Sequence, residues 1–298
     1  MAQLRGAFTA LITPMKQNGD VDYDGFSSLV DFQIKQGIDG IVPLGTTGET
    51  PTLTEDEEDA LAKIAVEKAK KGPRPVPVIL GAGSNCTKDA VRYVERAQKL
   101  GADYALVVTP YYNKPSDEGV YRHFAEAAKV GIPVIVYNIA GRTGKNISAP
   151  LLARIAELPN IAGVKEASGS VAQMMEVIET IVPARPDFAV LSGDDALTLA
   201  LIGIGGDGII SVVSNAAPAE VAAMTRAALN GDFAAARKIH YKLLPFMQAA
   251  FIETNPAPIK WACAKKGLPA GTLRLPLVPV TSASEHIIEG AMRQSGLL

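Results

Sequence analysis

The sequence predicts an α/β fold: a (β/α)8 TIM barrel over residues 1–230, followed by a C-terminal helical domain over residues 231–298. Three observations carry that expectation. Short apolar, β-branched runs alternate with helical segments, the pattern of a parallel sheet built from βα units. Most of the runs are apolar throughout rather than at every second position, as befits strands buried on both faces. Eight such units occupy roughly 230 residues, near the usual size of the barrel. An open doubly wound sheet is the alternative architecture.

In chain order the strands are read at Ala7–Thr13, Gly40–Gly45, Pro77–Gly83, Tyr104–Pro110, Pro133–Asn138, Ile161–Ser168, Ala189–Asp195 and Gly208–Val213. The clearest helix start is Thr54-Glu55-Asp56-Glu57. It reads as a capping box, with acids at the positive end of the helix dipole. That helix runs to Lys70-Lys71-Gly72, basic residues and then a glycine stop. Val91, Val94 and Ala97 give the following helix an apolar stripe that Gly101 ends. From about Gly231 the strand rhythm is lost. Phe233–Ile252 is Ala-rich and helical in period, Pro258–Lys266 and Ala283–Gln294 read as further helices, and Leu275–Pro279 as a Pro-rich connector. Packing and oligomer contacts are the expected role of this region.

Composition excludes several function classes. Lys and Arg number 29 against 31 Asp and Glu, a net charge of −2, so no excess basic field draws nucleic acid or an anionic membrane. Cys86 and Cys263 are far apart and form no CxxC, which argues against a disulfide framework or a thiolate metal site. The N-terminal Met1–Arg5 lacks the apolar core of an export signal, and no run of ~18 apolar residues follows, so the cytoplasm is expected. His123, His240 and His286 are too scattered to complete a metal site with Asp194-Asp195, and Asp195 is read as a helix cap. No metal is expected. The glycines Gly203, Gly205, Gly206 and Gly208 precede the eighth strand, on the stability face of a barrel, and read as tight turns rather than a phosphate loop.

In a barrel, chemistry gathers at the carboxyl ends of the strands. There stand Gly45-Thr46-Thr47-Gly48-Glu49, Tyr111-Tyr112-Asn113, Tyr137-Asn138, Gly141-Arg142-Thr143-Gly144 and Gly163-Val164-Lys165-Glu166. Lys165 ends an apolar strand in phase with Ile161 and Gly163, which points it into the barrel mouth. Burial disfavours its ammonium and supplies a neutral amine able to form an imine with a ketone. A rim lysine paired with a carboxylate is the competing reading. Gly163 is read as leaving space below the amine, and Glu166 as facing outward in a structural role. Tyr137 shares the inward phase. Keeping it ionised at pH 7 would cost about 4 kcal/mol, so a relay of hydroxyls, with Thr46 or Tyr112 passing the proton on, is expected instead of a standing phenolate. Arg142 could fork two hydrogen bonds to a carboxylate, and Thr46-Thr47 offers hydroxyls to another carboxylate or to the relay.

Taken together and in order, these strand-end motifs resemble the dihydrodipicolinate synthase and N-acetylneuraminate lyase superfamily of pyruvate-dependent class I aldolases, over nearly the whole chain. The resemblance implies that Lys165 is the Schiff-base lysine and Tyr137 the proton donor and acceptor, with Thr46 and Tyr112 completing the relay. It implies that no cofactor is needed beyond the covalent imine of pyruvate on Lys165. The residue matching Tyr112 reaches a neighbouring subunit in relatives, which implies a homodimer or homotetramer. Gly141-Arg142-Thr143-Gly144 looks like the synthase pattern, where the arginine binds the carboxylate of aspartate-4-semialdehyde. Gly193, Asp194 and the Ile210 carbonyl match synthase positions around the imine and its carboxylate, and Thr47 joins them in substrate binding. Ala140 departs from the proline of most relatives. Glu55 and Glu58 stand where lysine-inhibited relatives carry histidines, although Asn85 and Tyr111 remain, so weak lysine feedback is expected. The implied activity is a lyase of lysine and diaminopimelate biosynthesis. The alternative is the same imine chemistry on a sugar acid or another aldehyde, and a non-catalytic barrel that binds a small acid is the reading from a different class.

Overall fold

The computed structural model describes residues 4–72 and 74–298. Residues 1–3, part of the stretch read above for an export signal, lie outside it, as does residue 73. Eight strands alternate with helices along the chain: β1 (Gly6–Ala10), α1 (Tyr23–Lys35), β2 (Gly40–Val42), α2 (Glu55–Lys71), β3 (Ile79–Gly81), α3 (Thr87–Lys99), β4 (Tyr104–Val108) and α4 (Asp117–Ala128). There follow β5 (Val134–Asn138), α5 (Ala140–Thr143), α6 (Ala149–Ala156), β6 (Ile161–Glu166), α7 (Val171–Ile181), β7 (Ala189–Ser192), α8 (Thr198–Gly203) and β8 (Gly208–Ser211). The chain closes with α9 (Pro218–Leu229), α10 (Phe233–Ala249), α11 (Ala257–Lys265) and α12 (Ser282–Gln294). The strands form one parallel sheet in the order β2-β1-β8-β7-β6-β5-β4-β3, and Ile41 of β2 bridges to Val78, the residue ahead of β3. This is the (β/α)8 barrel expected from the sequence, with helices following it.

By compactness the chain divides into two units. The first is Met1–Gly6 with Ile79–Ile210, and holds the consecutive parallel ladders β3 through β8. Every residue of β5 is buried, as a strand covered on both faces must be. Two glycines are used for their missing Cβ. At Gly208, with φ +145, a Cβ would lie 1.9 Å from the Gly6 carbonyl oxygen, and Gly205, with φ +112, turns the chain ahead of it. Both uses are structural, in line with the reading of that cluster as turns.

The second unit is Ala7–Val78 with Ser211–Leu298. Its α2 begins with the expected capping box: Thr54 Oγ1 accepts from Glu57 N and a Glu57 carboxylate oxygen accepts from Thr54 N at 2.9 Å. Strand reach is shorter than the apolar runs suggested, for local reasons. The run Gly40–Gly45 leaves the sheet after Val42 because Leu44 takes a left-handed φ of 60°. Past β1, the Asn215 side chain stands in for a neighbouring strand, accepting from Ile12 N and donating to Ala10 O. The helical period read over Phe233–Ile252 ends at Ala249, where Phe251 and Ile252 switch to tighter bonds onto Gln248 and Ala249.

Candidate active site

Lys165 lies in β6 directly opposite Tyr137 of β5, which is the pairing that fixes their side chains on one face. The amine is 6% exposed and sits 4.3 Å from the centroid of the Tyr137 ring. Among the described residues no hydrogen bond or salt bridge holds it. Burial therefore drives its pKa down to about 8, opposed by the Asp195 carboxylate and assisted by the Arg142 guanidinium. The rim ion pair considered from the sequence is not what the structure contains.

The glycine that accommodates this lysine is not the one expected. A Cβ on Gly163 would strike the Ala189 carbonyl oxygen at 2.4 Å, so Gly163 serves the close approach of β6 and β7. A Cβ on Gly193 would lie 3.1 Å from Cε of Lys165 and 3.2 Å from its Cγ. Gly193 thus lies along the lysine stem, and its N–H continues the ladder onto Glu166 O at 2.8 Å. The cap read for Asp195 belongs to the residue before it. Asp194 supplies the cap, its carboxylate accepting from Ala196 N at 2.9 Å, whereas Asp195 is buried and its charge acts on Lys165. Adjacent aspartates look alike in sequence, and only the turn after β7 decides which one faces inward.

Tyr137 is buried, and desolvation pushes its phenol up to about 12, with Arg142 acting in the opposite sense. The hydroxyl is accordingly protonated at neutral pH, in keeping with a proton donor and not a standing phenolate. Its carbonyl is fixed by Thr109, whose N–H and hydroxyl both donate to it at 3.0 Å. Sequence reading missed Thr109, though a buried threonine ending an apolar strand was the available signal. Arg142 sits in the single turn α5, exposed, close enough for its charge to act on both Lys165 and Tyr137. Ile210 is buried in β8.

Tyr112 is not brought into this cluster. It stands 89% exposed, with a left-handed φ of 71° that directs it out of the chain's own interior. Thr46 and Thr47 belong to the second unit, in a short turn after β2, where Thr46 is exposed and Thr47 buried. There Asn255 donates to Thr47 Oγ1 at 2.9 Å. Glu49, also left-handed, is buried and paired with Lys260 at 2.6 Å. Neither partner was legible, since both lie more than 200 residues along the chain. Among the described residues no group of three or more His, Cys, Asp and Glu side chains could hold a metal, and no helix is long and apolar enough to cross a membrane.

Known proteins resemble the chain in sequence and in fold. A sequence model of the dihydrodipicolinate synthetase family matches residues 3–294. The chain is 51% identical to a 4-hydroxy-tetrahydrodipicolinate synthase of Protochlamydia amoebophila, covering 92% of this chain and 91% of that one. It is 47% identical to that of Kosmotoga olearia over 99% of both. The crystal structure of dihydrodipicolinate synthase from Thermotoga maritima superposes with a TM-score of 0.96 at 42% identity, over 99% of this chain and 100% of that one. A family model that matches residues 3–294, with relatives 51% and 47% identical over nearly the whole length, leaves one assignment: the chain belongs to the dihydrodipicolinate synthetase family.

Proposed function

We propose that the protein is a 4-hydroxy-tetrahydrodipicolinate synthase, a lyase of lysine and diaminopimelate biosynthesis that condenses pyruvate with L-aspartate-4-semialdehyde. The observation that carries this reading is the Lys165 amine, buried with no carboxylate bonded to it and with a pKa of about 8, in a chain of this family. At pH 7 about a tenth of such an amine is neutral, several hundredfold more than for a free lysine. The neutral amine attacks the pyruvate ketone, water leaves, and the imine on Lys165 becomes an electron sink that acidifies the pyruvate methyl group. Loss of a methyl proton gives an enamine, whose carbon attacks the aldehyde. The product's own amine then displaces Lys165 and closes the ring. No external cofactor enters these steps.

Tyr137, protonated, donates to the departing oxygen and recovers a proton from the methyl carbon, with Thr46 and Tyr112 as its relay. Arg142 binds the carboxylate of the semialdehyde in bidentate fashion, and Thr47, Gly193, Asp194 and the Ile210 carbonyl surround the imine and its carboxylate. The outward placement of Tyr112 supports a homodimer or homotetramer in which a second copy uses it. We read residues 1–230 as the catalytic barrel, residues 231–298 as its helical domain, and the cytoplasm as the compartment. Glu55 and Glu58 favour weak lysine feedback; inhibition by micromolar lysine in an initial-rate assay would contradict it.

The test pairs borohydride trapping with an aldehyde panel. Mass spectrometry is expected to find a reduced pyruvate adduct on Lys165, and saturable turnover of pyruvate with the semialdehyde. Folded protein without an adduct overturns the imine, and turnover of a sugar acid in place of the semialdehyde overturns the substrate.

A further inference from the structure

Behind Lys165, on the opposite face of β6, Glu166 is a fully buried carboxylate that no lysine or arginine neutralises among the described residues. Burying such a charge is costly unless donors converge on it. Three do. Ser168 N donates to one oxygen at 2.7 Å, and Asn138 Nδ2 and Gln173 Nε2 both donate to the other at 3.1 Å. The two amides then extend beyond the carboxylate to the chain that follows Arg142. Asn138 accepts from Ile147 N at 3.0 Å and donates to Asn146 Oδ1 at 2.9 Å. Gln173 donates to Ile147 O at 3.2 Å, and its Oε1 accepts from Asn146 Nδ2 at 2.7 Å.

The consequence concerns the segment in between. Residues 139–145 carry Arg142 on one short turn flanked by Gly141 and Gly144 and are tied at both ends to this cluster, by Asn138 where they leave β5 and by Asn146 and Ile147 where they return. Within the loop the Thr143 hydroxyl donates to Lys145 O at 2.8 Å and accepts from Lys145 N at 3.3 Å, which ties the turn to the returning chain. Orientation of the guanidinium therefore depends on where the cluster holds the loop ends.

We propose that Glu166 and Gln173, acting through Asn138 and Asn146, are positioning residues that aim Arg142 and thereby set selectivity for an aldehyde bearing a carboxylate. The inference rests on the assignment of Arg142 to the semialdehyde carboxylate made above. Their effect falls chiefly on the second substrate, because the cluster is on the face of β6 away from the Lys165 amine and reaches that amine only through the charge of Arg142.

Gln173→Met keeps the side chain's length and removes both amide functions at a half-buried position. The KM for the semialdehyde is expected to rise ~10-fold, by the steep dependence of such contacts on ångström-scale placement. The KM for pyruvate and the yield of borohydride-trapped pyruvate adduct are expected to change far less, since only the charge of Arg142 reaches Lys165. Turnover of a carboxylate-free aldehyde of similar length should also be unchanged, and thermal melting of the variant reports that it is folded. Gln173→Glu, which sets a second carboxylate against Glu166, should raise the same KM at least as far. An unchanged semialdehyde KM in both variants, or an equal rise for both substrates, overturns the inference. Arg142→Ala separates the two claims: if it raises the semialdehyde KM while Gln173→Met does not, only the positioning role falls, and if it leaves that KM intact, the assignment of Arg142 falls as well.

Discussion

Lys165 and Lys260 are both buried lysines, 6% and 2% exposed, one in each compact unit, and burial pushes both pKa values down. Their surroundings differ. Lys260, in α11, meets the Glu49 carboxylate at 2.6 Å and the Thr272 carbonyl, while Glu49 also accepts from Arg274 N at 3.1 Å. Arg274 in turn forks onto Glu57, holding that carboxyl down at about 2. Its charge is thus answered on the spot. Lys165 has an aromatic ring and the influence of Asp195, and nothing that bonds its amine. Burial by itself does not make a nucleophile. What does is burial with no carboxylate bonded to the amine, which leaves the neutral form accessible near neutral pH, whereas a lysine paired at hydrogen-bond distance becomes a structural tie.

The largest effect that would sharpen this contrast is on activity. Lys165→Ala is expected to lower turnover on the order of 10⁴-fold or more and to abolish the pyruvate adduct in mass spectra. Full turnover in that variant would end the comparison. Next comes Tyr137→Phe, which removes the only ionisable group facing the amine on β5 and is expected to cost ~10²–10⁴-fold in kcat. Steady-state kinetics with a persisting pyruvate adduct would distinguish this from misfolding.

Stability should move in opposite directions at the two lysines. Lys260→Met strands the Glu49 charge and is expected to cost about 3–5 kcal/mol, while the double variant with Glu49→Gln regains part of it. Lys165→Met removes a buried amine with no bonded partner and is expected to stabilise by up to about 3 kcal/mol at pH 7 in urea unfolding. The sign follows from linkage. The unfolded lysine keeps its proton up to its ordinary 10.5 and the folded one only to about 8, so the folded state carries the cost in full below pH 8. Wild-type stability therefore climbs between those values, and the advantage of the methionine shrinks over the same window. Equal losses from both lysine substitutions would erase the distinction drawn here.

The smallest effect is on pH dependence. The rate of adduct formation should rise with pH and level near 8, where Lys165 loses its proton. Asp195→Asn is expected to move that midpoint downward, because the Asp195 carboxylate holds the ammonium up. A midpoint unmoved by Asp195→Asn would show that its charge does not reach the amine.

Much of this was legible in the sequence where the cause is local. Each of the eight strands overlaps an apolar run, and the Thr54–Glu57 capping box formed as read, because both depend on residues within a turn or a strand of each other. Lys165 and Tyr137 share a face as their strand phases implied. That Asp194 and not Asp195 would cap the turn, and that Gly163 would serve the approach of β6 to β7, was not legible, since each is settled by how a strand end turns against its neighbour.

Residue pattern alone therefore determined the barrel, the positions of its strands and the identity of the inward-facing lysine and tyrosine, because period-2 alternation and buried runs are written in consecutive residues. Tertiary structure alone decided which lysine would have a carboxylate bonded to its amine and which would not. Glu49 and Lys260 stand 211 residues apart, and Glu166 finds its donors on β5 and α7, so the electrostatic surroundings of each charge exist only after the chain has brought distant segments into contact.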